Sequence, residues 1–283
     1  MPDLNDPRLA RPPGVPVTFQ VTAGVAAVRE APLPDARLVT QALHGEIVDV
    51  FREEGEFGLC QLRRDRYTGW INLDALSAPA LEVTHKVSAL RTYCFAEPDL
   101  KSAPHFLLSL GARVAATGRT VGDWTECARA GWVDACNLAD IDAFETDPAG
   151  IAARYLEAPY LWGARESLGL DCSGLVQQAF EACGVLLPRD SDMQAEWAGE
   201  PVKDWQAPGA LHRGDLVFWT GHVGILTDPG TLLHANAFHL AVAVEPLAEA
   251  IARIRSVAGD VTCVRRVDIA AARGRSPSWL PAS

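Results

Sequence analysis

Part of the chain is duplicated, and the duplication leaves few architectures open. "VAAVREAPLPDARLVTQALHGEIVDVF" with "FGLCQLRRDRYTGWINLDAL", and "VSALRTYCFAEPDLKSAPHFLLSLGARVAAT" with "DWTECARAGWVDACNL", share one order of features. Each runs strand, proline-containing loop, leucine and glycine at a turn, strand, and a Gly-Trp-apolar ending. Gly69-Trp70-Ile71 in the first copy answers Gly131-Trp132-Val133 in the second. Several features recurring in order argue against a chance dipeptide match. Short alternating runs between turn residues predict two small β-barrels in tandem, over roughly residues 18–142.

Beyond the acidic stretch "NLADIDAFETD" the pattern becomes helical. Asp147 as N-cap and Pro148 as first helical residue predict a helix to about Glu157, ended by Pro159. Asp171 predicts the cap of a second helix, with Leu175, Val176, Ala179 and Phe180 on one face and Gly184 closing it. The β-like runs "GDLVFWT", "HVGILTD" and "TLLHANAF" follow. Helix first and antiparallel strands after reads as α+β. A length of 283 residues suits three domains, which we place at 1–80, 81–145 and 146–283.

A net charge of −11 and no basic cluster with interleaved aromatics disfavour nucleic acid and anionic membrane surfaces as partners. No apolar run is long enough for a membrane span. The opening "MPDLNDPRLARPPGVP" has acidic residues and prolines and no apolar core of a signal peptide, so a cytoplasmic location is expected. Seven cysteines, at 60, 94, 127, 136, 172, 183 and 263, form no CxxC pair. A disulfide framework or zinc knuckle is not expected, and most of these thiols should be packed core residues.

Cys172 has two readings. At a helix start the thiol is either a small packed residue or a nucleophile whose pKa the helix N-terminus and a nearby imidazole lower. In the second reading, a backbone N–H there faces the reacting centre. If "HVGIL" and "TLLHANAF" pair through the "TDPGT" turn, His222 and His234 come close on one face, one serving as base and the other orienting it. His212 and His239 are left as surface or structural residues. No metal-binding spacing occurs.

The ordered set "PYLWGARESLGLDCSGLVQQAF", "LPRDSDMQ", "RGDLVFWTGHVGIL" and "LLHANAF" resembles the NlpC/P60 family of papain-like cysteine peptidases, across about residues 147–268. The resemblance implies Cys172 as nucleophile, His222 as general base and His234 as the polar residue orienting it. The leading segment is similar to the paired SH3-like barrels that precede such domains in γ-D-glutamyl-L-diamino acid endopeptidases. The implied fold is therefore two SH3-like β-barrels followed by an α+β papain-like domain. The implied substrate is a murein tripeptide or tetrapeptide with a free N-terminal L-Ala, and no cofactor is implied. The "PY", "DCS" and "RDS" motifs then supply substrate contacts at Tyr160, Asp171, Ser173, Asp190 and Ser191, the tyrosine also facing the oxyanion. The first barrel would add Glu46 and Tyr67 near the substrate amine, where a carboxylate pairs with an ammonium. Ala164 stands where the family commonly has a second glycine, which narrows that loop's freedom. Trp124, Trp132 and Trp205 read as core or barrel anchors. An amidase or acyltransferase with the same triad, and a non-catalytic binding module, are the alternative functions.

Overall fold

The structure, a computed structural model, describes residues 6–280. They fall into two compact units that part between Ala143 and Phe144. Both barrels belong to the first.

The first copy contributes strands β1 (Val17–Val21), β2 (Val25–Arg29), β3 (Leu38–Leu43), β4 (Ile47–Glu54), β5 (Phe57–Leu62), β6 (Thr68–Asn72) and β7 (Leu76–Ser77). The second contributes β8 (His85–Val87), β9 (Arg91–Phe95), β10 (Pro104–Ser109), β11 (Arg113–Val121), β12 (Trp124–Ala128), β13 (Gly131–Asp134) and β14 (Leu138–Asp140). The spatial orders are β3-β2-β6-β5-β4-β1-β7 and β10-β9-β13-β12-β11-β8-β14. One becomes the other when every label advances by seven, so the duplication seen in the sequence is a duplication of topology. Details recur too. After each Gly-Trp strand a one-turn 3-10 helix is capped by an Asx side chain, Asn72 accepting from Asp74 N and Asp134 from Cys136 N. In each copy an arginine lies over the tryptophan face, Arg52 on Trp70 and Arg119 on Trp132.

Each copy has its own apolar core, the first around Val28, Val48, Cys60, Leu62 and Ile71 and the second around Cys94, Leu108, Val114, Cys127 and Val133. The cores are joined by Leu43, which comes from β3 and packs in the second. At the turn that follows, Arg113 donates its N–H to His44 O at 2.8 Å. Gly45, at φ 80°, leaves only 2.0 Å between the position of a Cβ and Arg113 O, so no side chain fits there. Gln20 adds a polar link, exchanging bonds with the Leu81 backbone and accepting from Arg129.

In the second unit, helix α1 (Pro148–Ala153) starts at the expected Asp147-Pro148 pair but ends four residues before Glu157. Its acidic residue does not cap; the Asp147 carboxylate pairs instead with Arg213 at 2.7 Å. The helix stops because the chain is drawn to the sheet: Glu157 turns to φ 68° and donates its N–H to Val242 O. A short hairpin, β15 (Arg165–Glu166) and β16 (Gly169–Leu170), leads into α2 (Cys172–Ala182). Asp171 caps α2, its four expected apolar residues are fully buried, and Gly184 follows it at φ 80°. Then come α3 (Ser191–Trp197), β17 (Glu200–Pro201), β18 (Leu216–Trp219), β19 (His222–Asp228), β20 (Thr231–Asn236), β21 (Ala241–Pro246), α4 (Leu247–Ala258), β22 (Cys263–Arg266) and α5 (Ile269–Ala272). The sheet is antiparallel in the order β17-β22-β18-β19-β20-β21. Trp205 packs on its core, as expected of an anchor, while Trp124 stacks edge-on against Phe95 in the second barrel. Among the described residues no helix is long and apolar enough to cross a membrane.

Candidate active site

Cys172 is the first residue of α2 and 6% exposed. The helix packs on β19, which places the backbone N–H of Val223, next to His222, where it favours the ionised thiol. The hairpin β19–β20 forms as the "TDPGT" turn predicts, with Ile225 opposite Leu233 and Leu226 opposite Leu232. This register brings His222 and His234 to one face. The facing residue between them is Gly224, where a Cβ would stand 3.1 Å from that of His234, so glycine leaves room for the two rings. His222 Nε2 lies 2.8 Å from His234 Nδ1, and His234 Nε2 lies 2.7 Å from Glu245 Oε1. Arg253, from α4, in turn donates to Glu245 Oε1.

These contacts assign the protons. A carboxylate only accepts, so His234 carries its proton on Nε2 and offers Nδ1 as acceptor. His222 must then donate from Nε2, which leaves its Nδ1 as the basic nitrogen.

The helix N-terminus does not, as expected, make the resting thiol acidic. Burial pushes Cys172 up to about 12, and the Asp171 carboxylate adds to the rise; the Val223 N–H and the Arg189 guanidinium oppose it. Burial likewise holds His222 down to about 3, with the neighbouring His234 second, and His234 itself down to about 3. Thiol and imidazoles are therefore all neutral at rest. These shifts make stability depend on pH. An unfolded histidine takes up a proton near 6.5, whereas the folded ones refuse it until about 3. Stability held above pH 6.5 is thus lost as pH falls through that window. At the other end, the unfolded thiol ionises from 9.0 while the folded one holds its proton to about 12, so stability falls again as pH rises above 9. Urea titrations of the protein at a series of pH values should show the midpoint declining on both sides.

Three groups that the sequence does not single out complete the site: Glu245, Arg253 and Arg189. Arg189 is fully buried and grips Asp171 with two bonds, at 2.9 and 2.6 Å, while also reaching Ser173 Oγ at 2.9 Å. Asp171 further accepts from Gly163 N and Gly174 N, and Ser173 bonds to it at 3.2 Å. Both Asp171 carboxylate oxygens accept from within the protein, so Asp171 and Ser173 hold the start of α2 in place. Ala164 does not distort its loop. Gly163 takes the left-handed turn, at φ 81°, and Ala164 carries a carbonyl that accepts from Asp171 N and Arg189.

Tyr160 is half-buried, and its phenol is pushed up by burial and then by Cys172 and Asp171, so it stays a donor beside the thiol. Asp190 and Ser191 sit at the start of α3 without a side-chain capping bond from Asp190. Glu46 and Tyr67 belong to the first unit. There Glu46 is no solvated carboxylate: it is buried and faces the Arg64 guanidinium at 3.4 Å. Tyr67 is also buried, with its N–H on Asp65. His239, read as structural, bonds to Asn236 through Nδ1. With His234 and Glu245 it forms a trio of donors close enough for a metal ion, but Arg253 places a fixed cation on the carboxylate and opposes one there.

Residues 157–259 match the NlpC/P60 family, and residues 28–76 match the bacterial dipeptidyl-peptidase SH3 domain. Among curated proteins, the chain is 34% identical over 94 residues to dipeptidyl-peptidase 6 of Lysinibacillus sphaericus, covering 33% of each chain. It is 34% identical over 108 residues to gamma-D-glutamyl-L-lysine dipeptidyl-peptidase of Bacillus subtilis, covering 35% of this chain and 34% of that one. The chain thus spans about a third of the length of these curated relatives. An NlpC/P60 family protein from Bacillus cereus superposes with a TM-score of 0.73 at 18% identity, over 88% of this chain and 99% of its own. At that identity the likeness shows the fold: SH3-like β domains followed by an α+β domain.

Proposed function

We propose that this chain, which carries an NlpC/P60 domain preceded by a bacterial dipeptidyl-peptidase SH3 domain, is a cysteine peptidase acting on peptidoglycan-derived peptides. The observation that carries the reading is the hydrogen-bonded run His222–His234–Glu245 beside a thiol at the start of α2. It provides a nucleophile, a base of fixed tautomer and a group that orients the base.

Because thiol and imidazole are neutral at rest, the ionised pair forms only as the proton moves. Cys172 Sγ attacks the amide carbonyl carbon as its proton passes to Nδ1 of His222. The imidazolium then protonates the departing amine nitrogen, leaving a thioester on Cys172. His222 next takes a proton from water, whose oxygen attacks the thioester carbonyl; the thiol is reprotonated and the acid leaves. The developing oxyanion is stabilised by the Cys172 N–H, which at the first turn of a helix lacks an intrahelical partner, and by the Tyr160 hydroxyl.

For the substrate we infer the bond between γ-D-Glu and the diamino acid of freed stem peptides that keep an N-terminal L-Ala, cleaved in the cytoplasm during cell-wall recycling. The kinship with a γ-D-glutamyl-L-lysine dipeptidyl-peptidase supports the bond type. Incubation with L-Ala-γ-D-Glu-diaminopimelate should release L-Ala-γ-D-Glu in the mass spectrum, and the N-acetylated peptide should remain intact. Equal cleavage of both would remove the free-amine requirement. Cleavage of neither would favour an amidase or acyltransferase using the same residues.

A further inference from the structure

We propose that Glu245 is a positioning residue of the catalytic relay: acting through His234, it decides which nitrogen of His222 is the base, with Arg253 holding its carboxylate in place. The proposal rests on the peptidase reading for its kinetic consequences and on geometry alone for its structural ones.

His234 is fully buried, so no solvent satisfies its Nε2, and the bond to Glu245 Oε1 at 2.7 Å is what decides where its proton sits. The sheet register makes the contact possible. On β21, Ala243 stands opposite His234 and Glu245 lies two residues further along the same face. A larger residue at 243 would crowd the path; alanine leaves it open. Arg253 is itself fixed, with its guanidinium over the Phe238 ring at 4.3 Å while it donates to Glu245. Without an acceptor at 245, His234 could equally present an Nδ1–H to His222. That would move the His222 proton to Nδ1, the nitrogen that has to receive the thiol proton, and the base would be lost. A fault in the tautomer of a triad histidine suppresses catalysis while leaving the geometry intact. The other charged or titratable groups that act on these two rings are Arg253 from α4 and His239 from the β20–β21 connection. Cys172, Asp171 and Arg189 lie on the α2 side.

The test compares wild type, Glu245→Leu and Glu245→Gln as full-length proteins by 15N spectroscopy of the imidazoles, thermal melting, and the pH profile of kcat/KM on L-Ala-γ-D-Glu-diaminopimelate. Wild type should show Nε2–H on both rings. Glu245→Leu should show mixed tautomers and a kcat lowered by about 10- to 100-fold, as for other groups that act through a ligating or catalytic histidine, with KM little changed. Glu245→Gln keeps an acceptor and loses the charge. It should keep the tautomers but move the acid limb to lower pH, because the carboxylate favours the imidazolium form of His222. A folded Glu245→Leu with wild-type tautomers and profile overturns the proposal. If the leucine variant does not fold, an unshifted acid limb in the glutamine variant does so. Should wild type cut no peptide, the peptidase reading fails while the tautomers still decide the relay.

Discussion

Replacing Cys172 with alanine is expected to lower turnover of the stem tripeptide by at least about 10^4-fold, since loss of a nucleophile removes the covalent route entirely. The fold should survive. The site is at the edge of the core and the change removes one sulfur, so circular dichroism and the melting profile should match wild type. Alanine at Cys183, the fully buried residue just past the end of α2, removes a thiol of the same kind and should leave kcat unchanged. Residual activity of Cys172→Ala near the wild-type level, measured by product mass against a zero-enzyme control, would end the nucleophile assignment.

The second large effect concerns Arg189. It has no exposed surface and its carboxylate partner Asp171 is 6% exposed. Taking one member of a buried pair away leaves the other charged and unsolvated, which costs about 3–5 kcal/mol. Arg189→Leu should therefore lose roughly that much in urea unfolding and melt lower by on the order of 10 °C. It also releases Ser173 and the Ala164 carbonyl, so the first turn of α2 loosens and activity falls with stability. The double variant Asp171→Asn with Arg189→Leu should recover part of the loss, because asparagine still accepts from Gly174 N but carries no buried charge. A loss below about 1 kcal/mol for Arg189→Leu would show the pair to be better solvated than its burial indicates.

What the sequence reveals depends on how local the determining interactions are. α2 is legible from end to end because cap, apolar face and closing glycine lie within fourteen residues, Asp171–Gly184. The histidine pair is legible because one tight turn fixes the register of β19 on β20. Glu245 is hidden because its meeting with His234 depends on how β20 pairs with β21 across the irregular "AFHL" connection, where no turn motif sets the register. Arg189 is hidden for the same reason: it reaches Asp171 from a loop eighteen residues later in the chain. The early end of α1 reflects a bond to Val242, far away in sequence. The thiol illustrates a different limit. Its helix position is written in the sequence, but the burial that reverses the expected direction of its pKa is a product of the whole packed unit.

Leu43 belongs to one barrel by connectivity and to the other by packing, and the backbone contact at Gly45 allows no spacer between them. The two copies are consequently not beads on a string. Excising the first would strip Leu43 from the interior of the second, and excising the second would bare Leu43 to water, so neither half is a portable module, and a graft or truncation must take the duplicated pair whole.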